Sequence, residues 1–138
     1  MQKLIPSNKV YIAKSKIKNA GRGVFARIDI SKGEIIEKCP VIEIAQKDTA
    51  LLVESALTSY FFFLGKRKEK TVLVLGFGSI YNHSKTPNAD YKKVVVESTM
   101  IFVAIRNIKK DEEITVNYNP KPAKNKLPLW FEKKQSYK

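Results

Sequence analysis

The chain has 138 residues, 43% of them hydrophobic, and a formal net charge of +13, which suits one domain whose surface attracts polyanions or nucleoprotein. Because Cys39 is the only cysteine, an intramolecular disulfide and a cysteine-based zinc cluster are both excluded. No apolar run suits a secretory signal or a membrane-spanning helix, so we expect a soluble intracellular protein without a membrane partner.

Short runs of β-branched and aromatic residues, separated by turn residues, predict a mainly β domain with little helix. The predicted strands cover residues 10–13, 23–26, 34–37, 41–44, 60–64, 71–75, 93–96 and 100–104. One helix is predicted over residues 48–57, with Asp48 as its N-cap. Residues 65–70 are predicted to form a charged hairpin loop.

Residues 26–34 and 104–112 have similar residue types at the same spacing, an internal similarity that we call the echo. Each has a strand end, an Asp-Ile or Asn-Ile step, a Lys-Gly or Lys-Asp turn, and then a Glu that leads into another strand. Two ordinary strand connections would give the same pattern. The echo therefore supports a fold of short strands joined by turns, and it indicates no catalytic or binding site.

A polar segment, Tyr81-Asn82-His83-Ser84, interrupts an apolar stretch and contains the only histidine. A lone histidine is usually a structural residue with satisfied hydrogen bonds. Without a second histidine a His-rich metal site is excluded, and no catalytic triad is suggested. Asn88 follows shortly after, and we interpret it as fixing the loop.

Two further features are open to more than one interpretation. Gly21 and Gly23 flank Arg22 and mark either a tight turn or a close approach of the backbone to a ligand, whose carboxylate Arg22 could reach. Tyr118 ends the strand-like run of residues 112–118, where packing with a hydrogen-bonded hydroxyl would be unremarkable.

Together, these three segments resemble the motifs of SET-domain protein-lysine methyltransferases, in the family's order and over residues 10–118. The chain looks most similar to the small free-standing SET proteins of bacteria and viruses, without the cysteine-rich post-SET segment. The resemblance implies a fold of several short β-sheets with a C-terminal pseudoknot. Residues 1–120 would form the catalytic domain, and residues 121–138 a basic C-terminal segment that could close the pocket.

The resemblance also implies an activity. Such an enzyme transfers a methyl group from S-adenosylmethionine to a lysine side-chain amine of a protein substrate, with no metal. A histone or another nucleic-acid-associated protein is the candidate substrate. The location would be the cytoplasm in a bacterium, or the nucleus in a eukaryote or if the protein acts on a host.

The resemblance implies a role for each of several individual residues. Tyr118 is the expected catalytic residue, facing the methyl group that is transferred. The cofactor-binding residues are expected to be Gly21, Arg22, Gly23, Tyr81, Asn82, His83 and Tyr118. The expected substrate channel comprises Tyr60, Val116, Trp130 and Phe131.

Some aspects of the implied site stay open. The family often has an aromatic residue where this chain has Val116, so the degree of methylation is undetermined. Trp130 and Phe131 suit a lid over the pocket, although simple C-terminal packing suits them equally, and an exposed apolar lid would favour a homodimer.

Two other classes of function are compatible with parts of the sequence. A catalytically silent SET-like binding module would keep the fold, although Tyr118 and the Asn82-His83 pair argue against it. A basic nucleic-acid-associated protein with a merely architectural resemblance would bind polyanions in a salt-dependent way and show no affinity for the methyl donor.

Overall fold

The computed structural model describes residues 3–64 and 70–118. Within these ranges the strands are β1 (Val10–Lys14), β2 (Arg22–Ala26), β3 (Ile35–Ile44), β4 (Phe61–Leu64), β5 (Lys70–Val74), β6 (Asn82–His83), β7 (Ala89–Val94), β8 (Thr99–Ala104) and β9 (Glu113–Val116). The described part of the chain has one α-helix, α1 (Gln46–Leu52), and two 3₁₀ helices, Ala56–Ser59 and Gly78–Ile80. The predicted mainly β class with little helix is confirmed.

The strands form two sheets that share one core. The first sheet has the order β1-β2-β9-β6, in which β9 is antiparallel to β2 and parallel to β6. The second has the order β4-β5-β3-β8-β7 and is antiparallel throughout. The last described strand is therefore inserted between an early strand and a middle strand of the chain. This insertion brings distant segments together at β9.

The core combines apolar side chains from both sheets. Its largest fully buried members include Tyr81, Phe102, Ile30, Ile36, Met100, Ile108 and Ile114. Fully burying a side chain of this size stabilises the fold by about 1.5–3 kcal/mol. Tyr81 belongs to this set although it adjoins the polar Asn82-His83 pair, so the polar segment is anchored in the core.

Residues 34–37 and 41–44 were predicted as two strands, and this is wrong: residues 35–44 form the single strand β3, with Pro40 inside it. Proline has no N–H to donate to a neighbouring strand. Here the carbonyl of Pro40 accepts from the Leu75 N–H at 2.9 Å, and the next residue, Val41, donates to the Ser98 carbonyl at 2.9 Å. Neighbouring groups thus keep the strand paired on both sides.

The predicted helix is shorter than expected and has a different start. The N-cap position is Ala45, and Asp48 lies in the first turn of α1, so the predicted N-cap is wrong. The helix ends at Leu52, and the Ser55 hydroxyl then accepts from the Leu57 N–H at 3.2 Å. A serine that bonds the backbone in this way favours a new cap over a continued helix.

Two other predicted boundaries also shift. The strand predicted at residues 93–96 ends at Val94, because Val95 and Val96 belong to the turn before β8 and are exposed there. Lys70 begins β5 instead of ending the predicted loop, and residues 65–69 of that loop lie outside the described part of the chain.

The echo between residues 26–34 and 104–112 is a pair of turns that face each other. Ile30 and Ile108 exchange backbone hydrogen bonds of 2.8 Å in both directions. The Gly33 N–H donates to the Ala104 carbonyl, and the Asp111 N–H donates to the Ala26 carbonyl, at 2.8 and 2.7 Å. The two segments therefore play the same part in the fold, and their similarity is structural.

Gly33 and Asp111 both adopt positive φ, +89° and +69°. We expect Gly33→Ala to lower the free energy of unfolding by about 1–2 kcal/mol, the cost of left-handed backbone for a residue with a Cβ. No atom lies within 4 Å of the added Cβ, so no clash contributes. Urea denaturation would measure the loss. Asp111→Gly is the matched control. Glycine adopts the positive φ at this position without strain, and this gain should offset the loss of the hydrogen bond from the Tyr11 hydroxyl, so the free energy of unfolding should change less than in Gly33→Ala.

Candidate functional site

The predicted site segments meet around β9. In the parallel pair of β6 and β9, Asn82 lies opposite Thr115 and His83 lies opposite Val116. On the other side of β9, β2 pairs Val24 with Ile114. The parallel pairing thus places the Asn82-His83 segment beside the end of the chain's last described strand, and β2 brings in the glycine segment.

Asn82 is fully buried, and its amide orientation is fixed by two acceptors. The side-chain Nδ2 donates to the Arg22 carbonyl at 2.9 Å and to Glu113 Oε1 at 3.1 Å. Its Oδ1 is buried and has no hydrogen-bond partner among the described residues. A buried acceptor without a donor is costly, so this oxygen suits a donor supplied by a ligand.

Glu113 holds several parts of this site together. Its Oε1 accepts from the Ser15 hydroxyl at 2.7 Å, and its Oε2 accepts from the Lys16 N–H at 2.9 Å. A Cβ added at Gly23 would lie 2.3 Å from Glu113 Oε1 and 3.1 Å from Asn82 Nδ2. Glycine at this position therefore allows the carboxylate and the amide to approach β2. The sequence analysis gave Glu113 no role of its own; the signal was a charged residue at the start of a short buried strand.

The glycine segment contributes through its backbone. Gly21 has φ of +72°, and Gly23 is buried in β2. Arg22 offers its carbonyl to Asn82, whereas its side chain is exposed and makes no salt bridge within the described residues. The predicted contact of the Arg22 side chain with a ligand carboxylate stays a prediction.

His83 orients the backbone at Tyr118. Its Nδ1 accepts from the Tyr118 N–H at 3.0 Å, and the two ring centroids lie 5.2 Å apart. An accepting Nδ1 carries no proton, so the imidazole is in its neutral form with the proton on Nε2. Asn88 acts in a similar way on β9: its Nδ2 donates to the Glu113 carbonyl at 2.8 Å, and its Oδ1 accepts from the Thr115 N–H at 2.9 Å.

The Tyr118 hydroxyl is held inside the protein. It donates to the Tyr81 carbonyl at 2.5 Å, and its ring meets the Phe62 ring edge-on at a centroid distance of 5.9 Å. Burial raises the pKa of the Tyr118 hydroxyl well above its ordinary value, with a smaller contribution from Tyr91. Tyr118 therefore stays protonated at physiological pH, which makes it a hydrogen-bond donor and excludes a phenolate base.

Aromatic side chains surround Tyr118. Phe62 also meets the rings of Tyr91 and Phe102 edge-on, at 4.9 and 6.4 Å. Tyr91, half-buried on β7, was missed by the sequence analysis, where its strand was placed too late. Of the predicted substrate channel, Val116 is fully buried in β9 and Tyr60 is half-buried just before β4.

Several predictions lie outside the described residues. These are the lid residues Trp130 and Phe131 and the basic segment 121–138.

In residues 3–64 and 70–118, no three His, Cys, Asp or Glu side chains form a group that could hold a metal ion. No helix in these same ranges has the length and apolar character of a bilayer span.

Known proteins resemble this chain in sequence. The SET domain pattern matches residues 21–119. A Schizosaccharomyces pombe histone-lysine N-methyltransferase named as specific for histone H3 lysine 37 is 31% identical, over 84% of this chain and 74% of its own length. An Emericella nidulans enzyme named as specific for H3 lysine 4 is also 31% identical, over 79% of this chain and 9% of its own length.

Solved structures share the fold. A Plasmodium falciparum protein named as a putative histone methyltransferase superposes with a TM-score of 0.65 and 37% identity, over 82% of this chain and 95% of the other. A chain of ctPRC2, in an autoinhibited conformation bound to S-adenosylmethionine, superposes with a TM-score of 0.68 and 26% identity, over 86% of this chain and 16% of the other. With the sequence match over residues 21–119, these similarities show that the chain belongs to the SET-domain family.

Proposed function

We infer that the chain is a protein-lysine N-methyltransferase that uses S-adenosylmethionine. The observation that carries this inference is the buried Tyr118 hydroxyl, held at 2.5 Å from the Tyr81 carbonyl beside Asn82 and His83, in a chain that matches the SET domain. S-adenosylmethionine supplies a methyl group on a positively charged sulfur. The methyl moves to a neutral lysine amine, the thioether leaves, and the methylated ammonium formed can release a proton.

The residues around Asn82 fit this donor. Its methionine part carries an ammonium group, which has only hydrogen-bond donors to offer. Asn82 Oδ1 is a buried acceptor that lacks a donor among the described residues, and the Glu113 carboxylate beside the amide matches the positive charge. Gly21 and Gly23 leave the neighbouring backbone without side chains. We propose that these residues, with Arg22, Tyr81 and His83, bind the donor.

Tyr118 would then act by position and by charge. Its hydroxyl hydrogen points to the Tyr81 carbonyl, and the phenolic oxygen is the polar atom of Tyr118 that can face a positive charge. That oxygen and the carbonyl dipole can stabilise the charge that passes from sulfur to nitrogen. Alignment of the reacting groups can lower the barrier by about 7–11 kcal/mol. The lysine must lose its proton before transfer, since Tyr118 is a poor base.

We propose a lysine of a histone, or of another nucleic-acid-associated protein, as the substrate. Two relatives are named for histone H3 lysines, and a net charge of +13 would draw this protein to nucleoprotein. A nuclear location follows if the substrate is a histone. We also propose that Trp130 and Phe131 form a lid over the pocket and that an exposed apolar lid would favour a homodimer.

The test is methyl incorporation from labelled S-adenosylmethionine into histones, ribosomal proteins and whole-cell extract. We expect label on lysine with the wild type and almost none with Tyr118→Phe. Label on another residue type would contradict the assignment. If no pool is labelled and calorimetry finds no binding of the donor, the inference fails altogether.

Arg22→Ala should weaken donor binding more than it slows transfer. A charge-assisted hydrogen bond contributes about 1.5–3 kcal/mol, so the donor dissociation constant should rise at least about tenfold, while kcat changes little. The Arg22 carbonyl, which holds Asn82, survives the substitution. Lys14, which lies opposite Arg22 in the β1–β2 pair, provides the matched control as Lys14→Ala. Equal affinities for the two variants would contradict a carboxylate contact.

A further inference from the structure

A buried carboxylate lies at the other end of Tyr81 from the carbonyl that holds Tyr118. Glu37, on β3, is only 7% exposed. Its Oε1 accepts from the Tyr81 hydroxyl at 2.9 Å, and its Oε2 accepts from the Phe77 N–H at 3.1 Å. Glu37 forms no salt bridge within residues 3–64 and 70–118. Because a buried charge is costly without partners, these donors explain how the carboxylate is tolerated.

The turn after β5 is shaped around this carboxylate. Gly76 has φ of +63°, and a Cβ there would lie 2.8 Å from Glu37 Oε2. The Cys39 thiol lies on the same side, where burial first and the Glu37 charge second raise its pKa far above the ordinary value. Burial and the Glu37 charge likewise raise the pKa of the Tyr81 hydroxyl. Both groups therefore stay protonated around Glu37.

Tyr81 can pass a constraint from Glu37 to Tyr118. Its ring is fully buried and stacks on Phe102, with centroids 4.3 Å apart and planes 18° apart. Its hydroxyl is fixed by Glu37, and its carbonyl is the acceptor of the Tyr118 hydroxyl. Because the Tyr81 ring stacks on Phe102 and its hydroxyl bonds Glu37, the backbone at Tyr81 has little freedom to shift.

We propose that Glu37 is a positioning residue for methyl transfer, which acts through Tyr81 by fixing the carbonyl that holds the Tyr118 hydroxyl. The Glu37 carboxylate bonds Tyr81 and Phe77, whereas the Asn82 amide bonds Arg22 and Glu113, so loss of Glu37 should slow the transfer and leave donor binding almost unchanged. A small displacement of a reacting group can lower a rate by up to about 10²-fold, and we expect about tenfold here. This role rests on the proposed function.

The experiment uses three single variants and one double variant of the full chain. Glu37→Met removes the acceptor at similar size, and Tyr81→Phe removes the hydroxyl and keeps the stacking ring. Each should lower kcat about tenfold, and Glu37→Met, which changes no residue of the proposed donor site, should keep the KM for S-adenosylmethionine within about twofold of wild type. Glu37→Gln, which still offers a hydrogen-bonding group to Tyr81, should recover most of the activity. The double variant should be no slower than either single one, because both interrupt the same chain of contacts.

Glu43→Gln is the matched control, since Glu43 lies on the same strand but is exposed and pairs with Lys93. It should retain wild-type kcat. General destabilisation would not reproduce the non-additive pattern or the rescue by Gln, and melting temperatures would show that every variant is folded at the assay temperature. Additive losses, or an unchanged kcat in Glu37→Met and Tyr81→Phe, would overturn the proposal while leaving the methyltransferase assignment intact.

A second readout does not depend on turnover. The ring signal of Tyr118 in protein with ¹³C-labelled tyrosine can be assigned by its loss in Tyr118→Phe. We expect this signal to shift or broaden in Glu37→Met and to stay unchanged in Glu43→Gln. An unmoved signal in Glu37→Met overturns the coupling even if the wild type has no turnover. A shifted signal in a protein that shows neither turnover nor donor binding would refute the proposed function and leave the contact through Tyr81 supported.

Discussion

Tyr118→Phe should reduce kcat by about 10²–10³-fold, the usual effect of removing one preorganised group that stabilises charge in the transition state. The phenolic oxygen is the only part removed, and the ring contacts with Phe62 and His83 remain available. Donor affinity should therefore stay close to that of the wild type. Single-turnover assays with labelled donor would measure the transfer step, and calorimetry would measure donor binding.

The substitution also leaves the Tyr81 carbonyl without the hydroxyl donor. Loss of one such hydrogen bond costs about 0.5–1.5 kcal/mol, so the free energy of unfolding should fall by that amount. The matched control is Tyr11→Phe, because the Tyr11 hydroxyl bonds Asp111 at an exposed position. Tyr11→Phe should keep full activity. Wild-type rates in Tyr118→Phe would remove this hydroxyl from the mechanism.

The pH dependence provides an independent check on Tyr118. Because burial raises the pKa of this hydroxyl, the folded state retains its proton more strongly than the unfolded state. The resulting stabilisation is fully present below the ordinary tyrosine pKa of about 10 and is lost only as pH rises toward the folded value. Turnover should accordingly show no loss from Tyr118 ionisation near neutral pH. A drop in kcat with a tyrosine signature at pH 8 would contradict the buried, protonated state.

Local sequence patterns predicted most strands but not how they are connected in space. Alternating and β-branched runs located β1, β2, β4, β5 and β8 to within one or two residues. The two-residue strand β6 is too short to show any period. Its pairing with β9 depends on tertiary contacts, as does the continuity of β3 through Pro40.

The same limit explains which site residues were found. Asn82, His83 and Tyr118 stood out through the family resemblance, whereas Glu37 and Glu113 looked like ordinary strand charges. Their partners are far along the chain: Glu37 meets Tyr81 44 residues away, and Glu113 meets Ser15 98 residues away. Each carboxylate organises its surroundings because several donors from distant parts of the chain bond to it. A single sequence does not show which distant residues come together in this way.

Gly23→Ala should raise the donor dissociation constant about 10- to 100-fold, the equivalent of a lost charge-assisted hydrogen bond of about 1.5–3 kcal/mol. The new Cβ would lie 2.3 Å from Glu113 Oε1. That oxygen cannot move away freely, because it is bonded to Ser15 and Asn82. The clash should displace the carboxylate, release the Asn82 amide, and lower the free energy of unfolding by about 1–3 kcal/mol. Calorimetry with S-adenosylmethionine and urea denaturation would measure the two effects.

A double variant separates this clash from a general effect of alanine in β2. Glu113→Ala removes the carboxylate that the new Cβ would meet, and by itself should weaken donor binding because the Asn82 amide loses one acceptor. Adding Gly23→Ala to that background should then change the affinity little, since the closest contact is gone. The two losses are thus expected to be strongly non-additive. Additive losses would mean that Gly23 matters for the donor directly, through its own backbone, and that Glu113 is a separate support for Asn82.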